Sequence, residues 1–290
     1  MPATKTLDVR RNAYRHDLAA ATLEGKVDAE RFVEGTRATA QRGAIAVRRA
    51  PDATLGIETE MLFGETATVF DEAGGWAWVQ LERDGYVGYV PGETLRKGAL
   101  TPTHKVSALG TFLYPAPSIK TPPLMHLAMN AGLSVRRSDA NFAELESGGF
   151  VHARHIAPID KNARDFVEIA ERFVGTPYLW GGRTRIGIDC SGLIQIALEA
   201  AGISAPRDSD MQQAELGTSV PITAELDNLK RGDLVFWKGH VGVMLDSVMF
   251  VHANAHHMMV TIEPLPEAAR RIAKTSDGIV AINRLAAAAV

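Results

Sequence analysis

Cys190 is the sole cysteine of the chain, and it stands in the phrase IDCSG with Asp189 and Ser191 on either side. Leu193, Ile196, Ala197 and Ala200 follow at helical spacing, and Gly202 comes where a helix would stop, so the cysteine falls at a helix start. Unpaired backbone N–H groups and the positive end of the dipole favour thiolate over thiol at such a place. A lone cysteine is more commonly a small buried apolar residue; the polar flanks and the helix start argue for chemistry. A nucleophilic thiolate needs a base and a group that orients the base. His240 in KGHVGVML and His252 in FVHAN lie 12 residues apart, on two strand-like runs around Asp246-Ser247. Nine histidines in the chain make coincidence a real competitor. Geometry separates the two readings, because side chains alternate along a strand. If His240 sits opposite His252, the turn is centred on Asp246 and holds three or five residues. A two-residue turn at Asp246-Ser247 would send the two rings to opposite faces.

The elements around these residues follow from periodicity. Phe166, Ile169, Ala170 and Phe173 predict a helix that ends at Gly175, with Asp160 as its N-cap. The turn-rich stretch TPYLWGGRTRIGID leads into the cysteine helix. Strands are expected at DLVFW (233–237), HVGVML (240–245), VMFVHA (248–253) and AINRL (281–285). Helices followed by antiparallel strands make an α+β domain over 159–290.

Upstream the period is two. IAVRRAP, TEMLFGETATVFDE, WAWVQLE and GYVGYVP are short alternating runs broken by Gly, Pro and Asp, the pattern of a small barrel over 44–98. A second pass of the same rhythm, closing on GGFVH, predicts another barrel over 99–158. Small apolar stripes between charges make residues 1–43 an N-terminal helical arm.

Composition excludes several classes. The net charge of −3 gives no reason to expect nucleic acid as a partner. No apolar run approaches the ~18–20 residues of a membrane span. The first thirty residues scatter charges where a secretory leader needs an apolar stretch. A single cysteine forms no internal disulfide, so a cytoplasmic location is expected. Cys190, His240, His252, His256 and His257 show no CxxC or HExxH spacing, so no metal and no cofactor is expected.

TPYLWGG…DCSG, PRDSDMQ, RGDLVFW-KGHVGVML and FVHAN, in that order, resemble the NlpC/P60 family of papain-like cysteine peptidases, and GGWAWVQLERDGYVGYVPGETL resembles a bacterial SH3 domain. Together they are similar to the γ-D-glutamyl-L-diamino acid endopeptidases that trim cell-wall peptides during recycling. The resemblance implies a papain-like domain preceded by two SH3-like barrels. It makes Cys190 the nucleophile, His240 the base and His252 its orienting group. Tyr178 and the Cys190 backbone N–H would hold the oxyanion. Asp189, Ser191 and Ser209 match positions lining the acyl-side pocket, with Trp180 beside them. Tyr86 and a glutamate, Glu60 in preference to Glu58, would complete a pocket for the substrate's free amino group. The expected partner is a murein peptide of the type L-Ala-γ-D-Glu-diamino acid.

Each residue also has a plainer reading. Tyr178 and Trp180 could be core aromatics, Asp189 a helix cap, and the glutamates solvated barrel surface. Two other functions use the same residues: amidase or acyltransferase chemistry on the same thiol, or a catalytically silent cell-wall peptide-binding module. A requirement for a free substrate amine distinguishes the peptidase from both.

Overall fold

The computed structural model describes residues 7–286. The chain divides into two units. One holds the residues up to Lys105 with Phe112–Leu127 and Ala131–Arg154. The other holds Val106–Thr111, Ala128–Asn130 and the residues from His155 onward.

In the N-terminal unit the two-residue period becomes a five-stranded antiparallel sheet. Its strands are β1 (Thr36–Ala40), β2 (Thr66–Ala73), β3 (Trp76–Leu81), β4 (Val87–Pro91) and β5 (Leu95–Lys97), in the order β5-β1-β2-β3-β4. A separate pair, Ala44–Val47 with Thr59–Leu62, contributes Ile45, Val47 and Met61 to the same core as Val69, Val79 and Val90. Residues 135–152 form a second, three-stranded antiparallel sheet from Val135–Ser138, Phe142–Leu145 and Phe150–His152. The Gly132 N–H donates to the Phe63 carbonyl at 2.9 Å, joining the two expected barrel regions within one unit.

The helical arm expected over 1–43 is not helical. Residues 1–6 lie outside the described residues. From 7 to 43 the chain makes short strands at Tyr14–Arg15, Leu18–Ala20 and Phe32–Val33, a 3-10 turn at Ala21–Leu23, and β1 itself. Short apolar stripes cannot stabilise a helix alone. Here Leu18, Ala20 and Leu23 bury against Trp78, and the Arg10 carbonyl accepts from the Val87 N–H. Packing on the sheet decides the local conformation.

The C-terminal unit is a six-stranded antiparallel sheet with helices. Its strands are β6 (Thr218–Ser219), β7 (Leu234–Trp237), β8 (His240–Met244), β9 (Met249–Asn254), β10 (Met259–Pro264) and β11 (Ala281–Arg284), in the order β6-β11-β7-β8-β9-β10. The helices are α1 (Phe166–Glu171), α2 (Cys190–Ala200), α3 (Ser209–Glu215) and α4 (Leu265–Ile272). Asp165, not Asp160, caps α1: its carboxylate accepts from the Val167 N–H at 2.7 Å. Phe166, Val167, Ile169 and Ala170 are buried, so the helix starts where its apolar face starts. Helix α2 packs across β8 and β9. Helix α4 buries Leu265 and Ala268 with Trp237, Met244 and Phe250. Among the described residues no helix is long and apolar enough to cross a membrane.

The β8–β9 turn has an odd residue count, with a shift from the expected centre. Met244 pairs with Phe250, and the Leu245 N–H donates to the Met249 carbonyl. The loop is Asp246–Val248, centred on Ser247 rather than Asp246. His240 and His252 therefore share a face but sit diagonally. Continuing the register puts His252 across from Gly242. A Cβ on Gly242 would meet the His252 Cβ at 2.7 Å and the Phe250 ring at 2.4 Å. Only glycine allows so close an approach. Gly242→Ala is expected to destabilise the protein by about 1–3 kcal/mol, the usual range for overpacking a core, measured by urea unfolding.

Candidate active site

The first turn of α2 is built around one carboxylate. Asp189 caps the helix by accepting from the Gly192 N–H at 2.7 Å. Its other oxygen accepts from the Gly181 N–H at 2.8 Å. The Arg207 guanidinium lies across both oxygens, at 3.0 and 2.6 Å, and also donates to the Ser191 hydroxyl at 2.8 Å. Arg207 and Asp189 are both buried. One ion pair thus fixes the helix start, the glycine turn at 181 and Ser191. The Gly182 carbonyl sits where a Cβ on Gly192 would be, 2.4 Å away, so the DCSG glycine is needed for the loop to close on the helix. Both Asp189 oxygens are engaged inside the protein, which makes the cap its observed role. Helix α3 is tied in by Gln212, whose amide donates to the Ser191 and Pro206 carbonyls, both at 2.9 Å.

Cys190 is buried, and the backbone N–H groups of Val241 and Ser191 lie near enough to its sulfur to favour the charged form. Val241 is the residue after His240, so the base candidate's own strand runs beside the thiol. Burial, reinforced by the Asp189 carboxylate, pushes the thiol up to about 12 against these N–H groups and Arg207. The helix terminus alone does not make a resting thiolate here, because desolvation outweighs it. Tyr178 follows the same logic: burial raises its phenol, and the Cys190 and Asp189 charges add to the rise. It lies close enough to the nucleophile to feel it. The segment before it is held as an extra strand on β10: the Gly175 and Tyr178 N–H groups donate to Val260 and Met258, both at 2.9 Å.

His240 Nε2 lies 2.8 Å from His252 Nδ1. Aromatic side chains enclose the pair. The Trp237 ring is 5.7 Å from His240, and Phe250 is 4.5 Å from His252. Burial, then the neighbouring His252 and Arg271, lowers His240 to about 3; burial also lowers His252, against the pull of Glu263. Both imidazoles are neutral at pH 7. A neutral imidazole is the form a general base takes before it accepts a thiol proton.

The structure brings Cys190, His240, His252, Tyr178, Asp189 and Ser191 to one region of the C-terminal unit. Ser209 begins α3, next to that region. Trp180 is 66% exposed, so it is not a core aromatic. Tyr86 and Glu60 belong to the N-terminal unit. Tyr86 is buried and lines a cavity of about 380 Å³ with Glu58, Arg15 and Trp78. Glu60 is buried within the Thr59–Leu62 strand, paired with Ala46. Of the two glutamates, the cavity lining includes Glu58.

Sequence reasoning missed three residues. Arg207 lay inside the quoted PRDSDMQ and was visible as a buried-charge candidate only with Asp189 in view. Glu263 and Arg271 complete a chain behind the histidines. His252 Nε2 is 2.7 Å from Glu263 Oε1, and Arg271 holds that carboxylate at 2.6 Å through both oxygens. No motif marked them, because strand β10 and helix α4 were not expected. Among the described residues no group of three or more His, Cys, Asp or Glu is arranged to hold a metal ion.

A thiol at a helix start, packed against two adjacent strands whose histidines are hydrogen-bonded to each other, is an arrangement that nucleophilic hydrolysis can use. The chain belongs to the NlpC/P60 family: residues 175–272 match the model of that family. Residues 47–95 match the bacterial dipeptidyl-peptidase SH3 domain. A γ-D-glutamyl-L-lysine dipeptidyl-peptidase of Bacillus subtilis is 30% identical over 73% of this chain and 77% of its own. Dipeptidyl-peptidase 6 of Lysinibacillus sphaericus is 26% identical over 75% of this chain and 87% of its own. The crystal structure of an NlpC/P60 family protein from Bacillus cereus shares the fold with a TM-score of 0.70, at 22% identity, covering 86% of this chain and 99% of that one.

Two outcomes test this site. Arg207→Met leaves the Asp189 charge buried and unpaired, and is expected to cost about 3–5 kcal/mol in denaturant unfolding. His240 has a folded value below its unfolded one, so the unfolded chain takes up its proton first as pH falls. Stability is expected to decline from about pH 6.5 down toward 3. His240→Asn should flatten that decline in pH-dependent thermal unfolding.

Proposed function

We propose that this protein is a cysteine peptidase that hydrolyses the γ-D-glutamyl-diamino acid bond of murein peptides carrying a free N-terminal L-Ala. The observation that carries the reading is the hydrogen-bonded His240–His252 pair, carried by β8 and β9, the two strands against which the Cys190 helix packs. Names of relatives as γ-D-glutamyl-L-lysine dipeptidyl-peptidases support the bond and the substrate class.

In this reading His240 Nδ1 takes the Cys190 proton as the sulfur attacks the γ-carbonyl carbon. The oxyanion forms beside the Cys190 backbone N–H, with the Tyr178 hydroxyl as a second donor. The tetrahedral intermediate collapses as the imidazolium protonates the leaving amine of the diamino acid. Water, deprotonated by His240, then resolves the thioester and frees L-Ala-γ-D-Glu. A neutral resting pair suits this sequence, since charge separates only when the acyl group is present to use it. Asp189 works beneath the helix rather than at the bond. Ser191 and Ser209 are the polar groups assigned to the acyl side, with Trp180 as an exposed aromatic wall.

The wider organisation belongs to the same proposal: SH3-like barrels over 44–98 and 99–158 ahead of a catalytic domain over 159–290. A substrate already released from the wall fits a cytoplasmic role in peptidoglycan recycling.

Mass spectrometry tests the proposal directly. The wild type is expected to release diaminopimelate or lysine from L-Ala-γ-D-Glu-diamino acid, and Cys190→Ala is expected to release none, a loss of at least about 10³-fold. N-acetylation of the L-Ala should abolish turnover. Cleavage of the acetylated peptide would remove the amine requirement and leave the peptidase; cleavage of neither would favour the silent binding module or another acyl substrate.

A further inference from the structure

We propose that Glu263, held by Arg271, is a positioning residue that sets the tautomer of both histidines and so leaves His240 Nδ1 free to accept the thiol proton. The inference deepens the peptidase reading and rests on it. Its basis is an unbroken chain of contacts: His240 Nε2 to His252 Nδ1 at 2.8 Å, His252 Nε2 to Glu263 Oε1 at 2.7 Å, and Glu263 to Arg271 at 2.6 Å through both oxygens.

A neutral imidazole has one N–H donor and one bare nitrogen. Two such rings in contact leave two choices. Either His252 Nδ1 donates to His240 Nε2, or it accepts from it. The first choice gives His240 its proton on Nδ1, the nitrogen the thiol needs bare. Glu263 removes that choice. Burial alone would raise its carboxyl, but Arg271 and His252 hold it well below the usual carboxylate range, so it is an acceptor only. It therefore takes the N–H of His252 Nε2. His252 Nδ1 is then bare, His240 Nε2 donates to it, and His240 Nδ1 is the free base. One carboxylate specifies two protons, the second of them two hydrogen bonds away.

One neighbour competes for the same nitrogen and is the weaker partner. Asn254 Nδ2 is 3.1 Å from His252 Nε2, but that amide donates to the Thr261 hydroxyl at 2.9 Å, while its oxygen accepts from the His257 N–H at 2.8 Å. The charged carboxylate is the nearer and stronger partner. The other ionisable groups that bear on the chain are His257, toward His252, and Glu267, toward Arg271. Glu263 is on β10 and Arg271 on α4, so two elements missed in the sequence meet here.

Nitrogen-15 NMR of the histidine rings reads the tautomer without turnover, and pH-dependent alkylation of Cys190 by iodoacetamide reads the base. The wild type is expected to show His240 with its proton on Nε2. Glu263→Met offers no acceptor and should mix or reverse the tautomer, slow alkylation, and lower kcat by about tenfold to a hundredfold with little change in KM. Glu263→Gln, which keeps an acceptor oxygen but not the charge, should recover part of the loss. Arg271→Met keeps the carboxylate but lets it protonate at a higher pH, so the acid limb of alkylation should move up. A Glu263→Met protein with wild-type ring tautomers and a wild-type alkylation profile overturns the proposal. Should Glu263→Met not fold, an unmoved acid limb in Arg271→Met overturns it equally. A wild type that shows the tautomer but cleaves no murein peptide counts against the substrate reading alone.

Discussion

The site depends first on a buried ion pair. Asp189 and Arg207 are both withdrawn from water, and each would be costly alone. Their pairing is productive because the remaining valences are filled. The carboxylate takes two backbone N–H groups, and the guanidinium also reaches the Ser191 hydroxyl. That arrangement binds three separate pieces of chain: the glycine turn at 181, the first turn of α2 and the segment that starts α3. The cysteine sits in the middle of them, so its position is set by charge pairing and not by the packing of its own small side chain.

The second constraint is dryness. Trp237 and Phe250 press on the imidazoles, and the thiol is covered. Low polarity keeps thiol, imidazole and phenol neutral, against the pull of a helix terminus that would ionise the sulfur in a wetter place. A neutral, enclosed site makes hydrogen-bond direction matter more than net charge. In such surroundings the placement of single protons along Cys190, His240, His252 and Glu263 becomes a structural property of the protein.

Much of this was legible in the residues. The cysteine at a helix start was visible because polar flanks adjoin an apolar run of period 3.6. The shared face of His240 and His252 was visible because strand parity permits it only for an odd turn. The exact opposition was not, since a shift of two residues preserves the face and leaves the pattern unchanged. Strand β10 escaped because MVTIEP is only partly buried and ends at a proline, so its alternation is weak. Glu263 escaped with it. The N-terminal segment misled for the opposite reason: its apolar residues are real, but the sheet around Trp78 uses them in extended chain. Arg207 reads as an ordinary surface charge until its partner is seen.

The pairing of residues 175–178 along β10 has a consequence for the protein in company with others. A six-stranded sheet has two outer rows of backbone groups, and each invites a foreign chain to add on. On one side the row is partly taken by the Gly175–Tyr178 segment. On the other it is β6, only two residues long. Both rims are thus poor templates for strand addition by an extended peptide. For the proposed peptidase this matters, because a peptide then finds few places along the sheet rims to dock by its backbone.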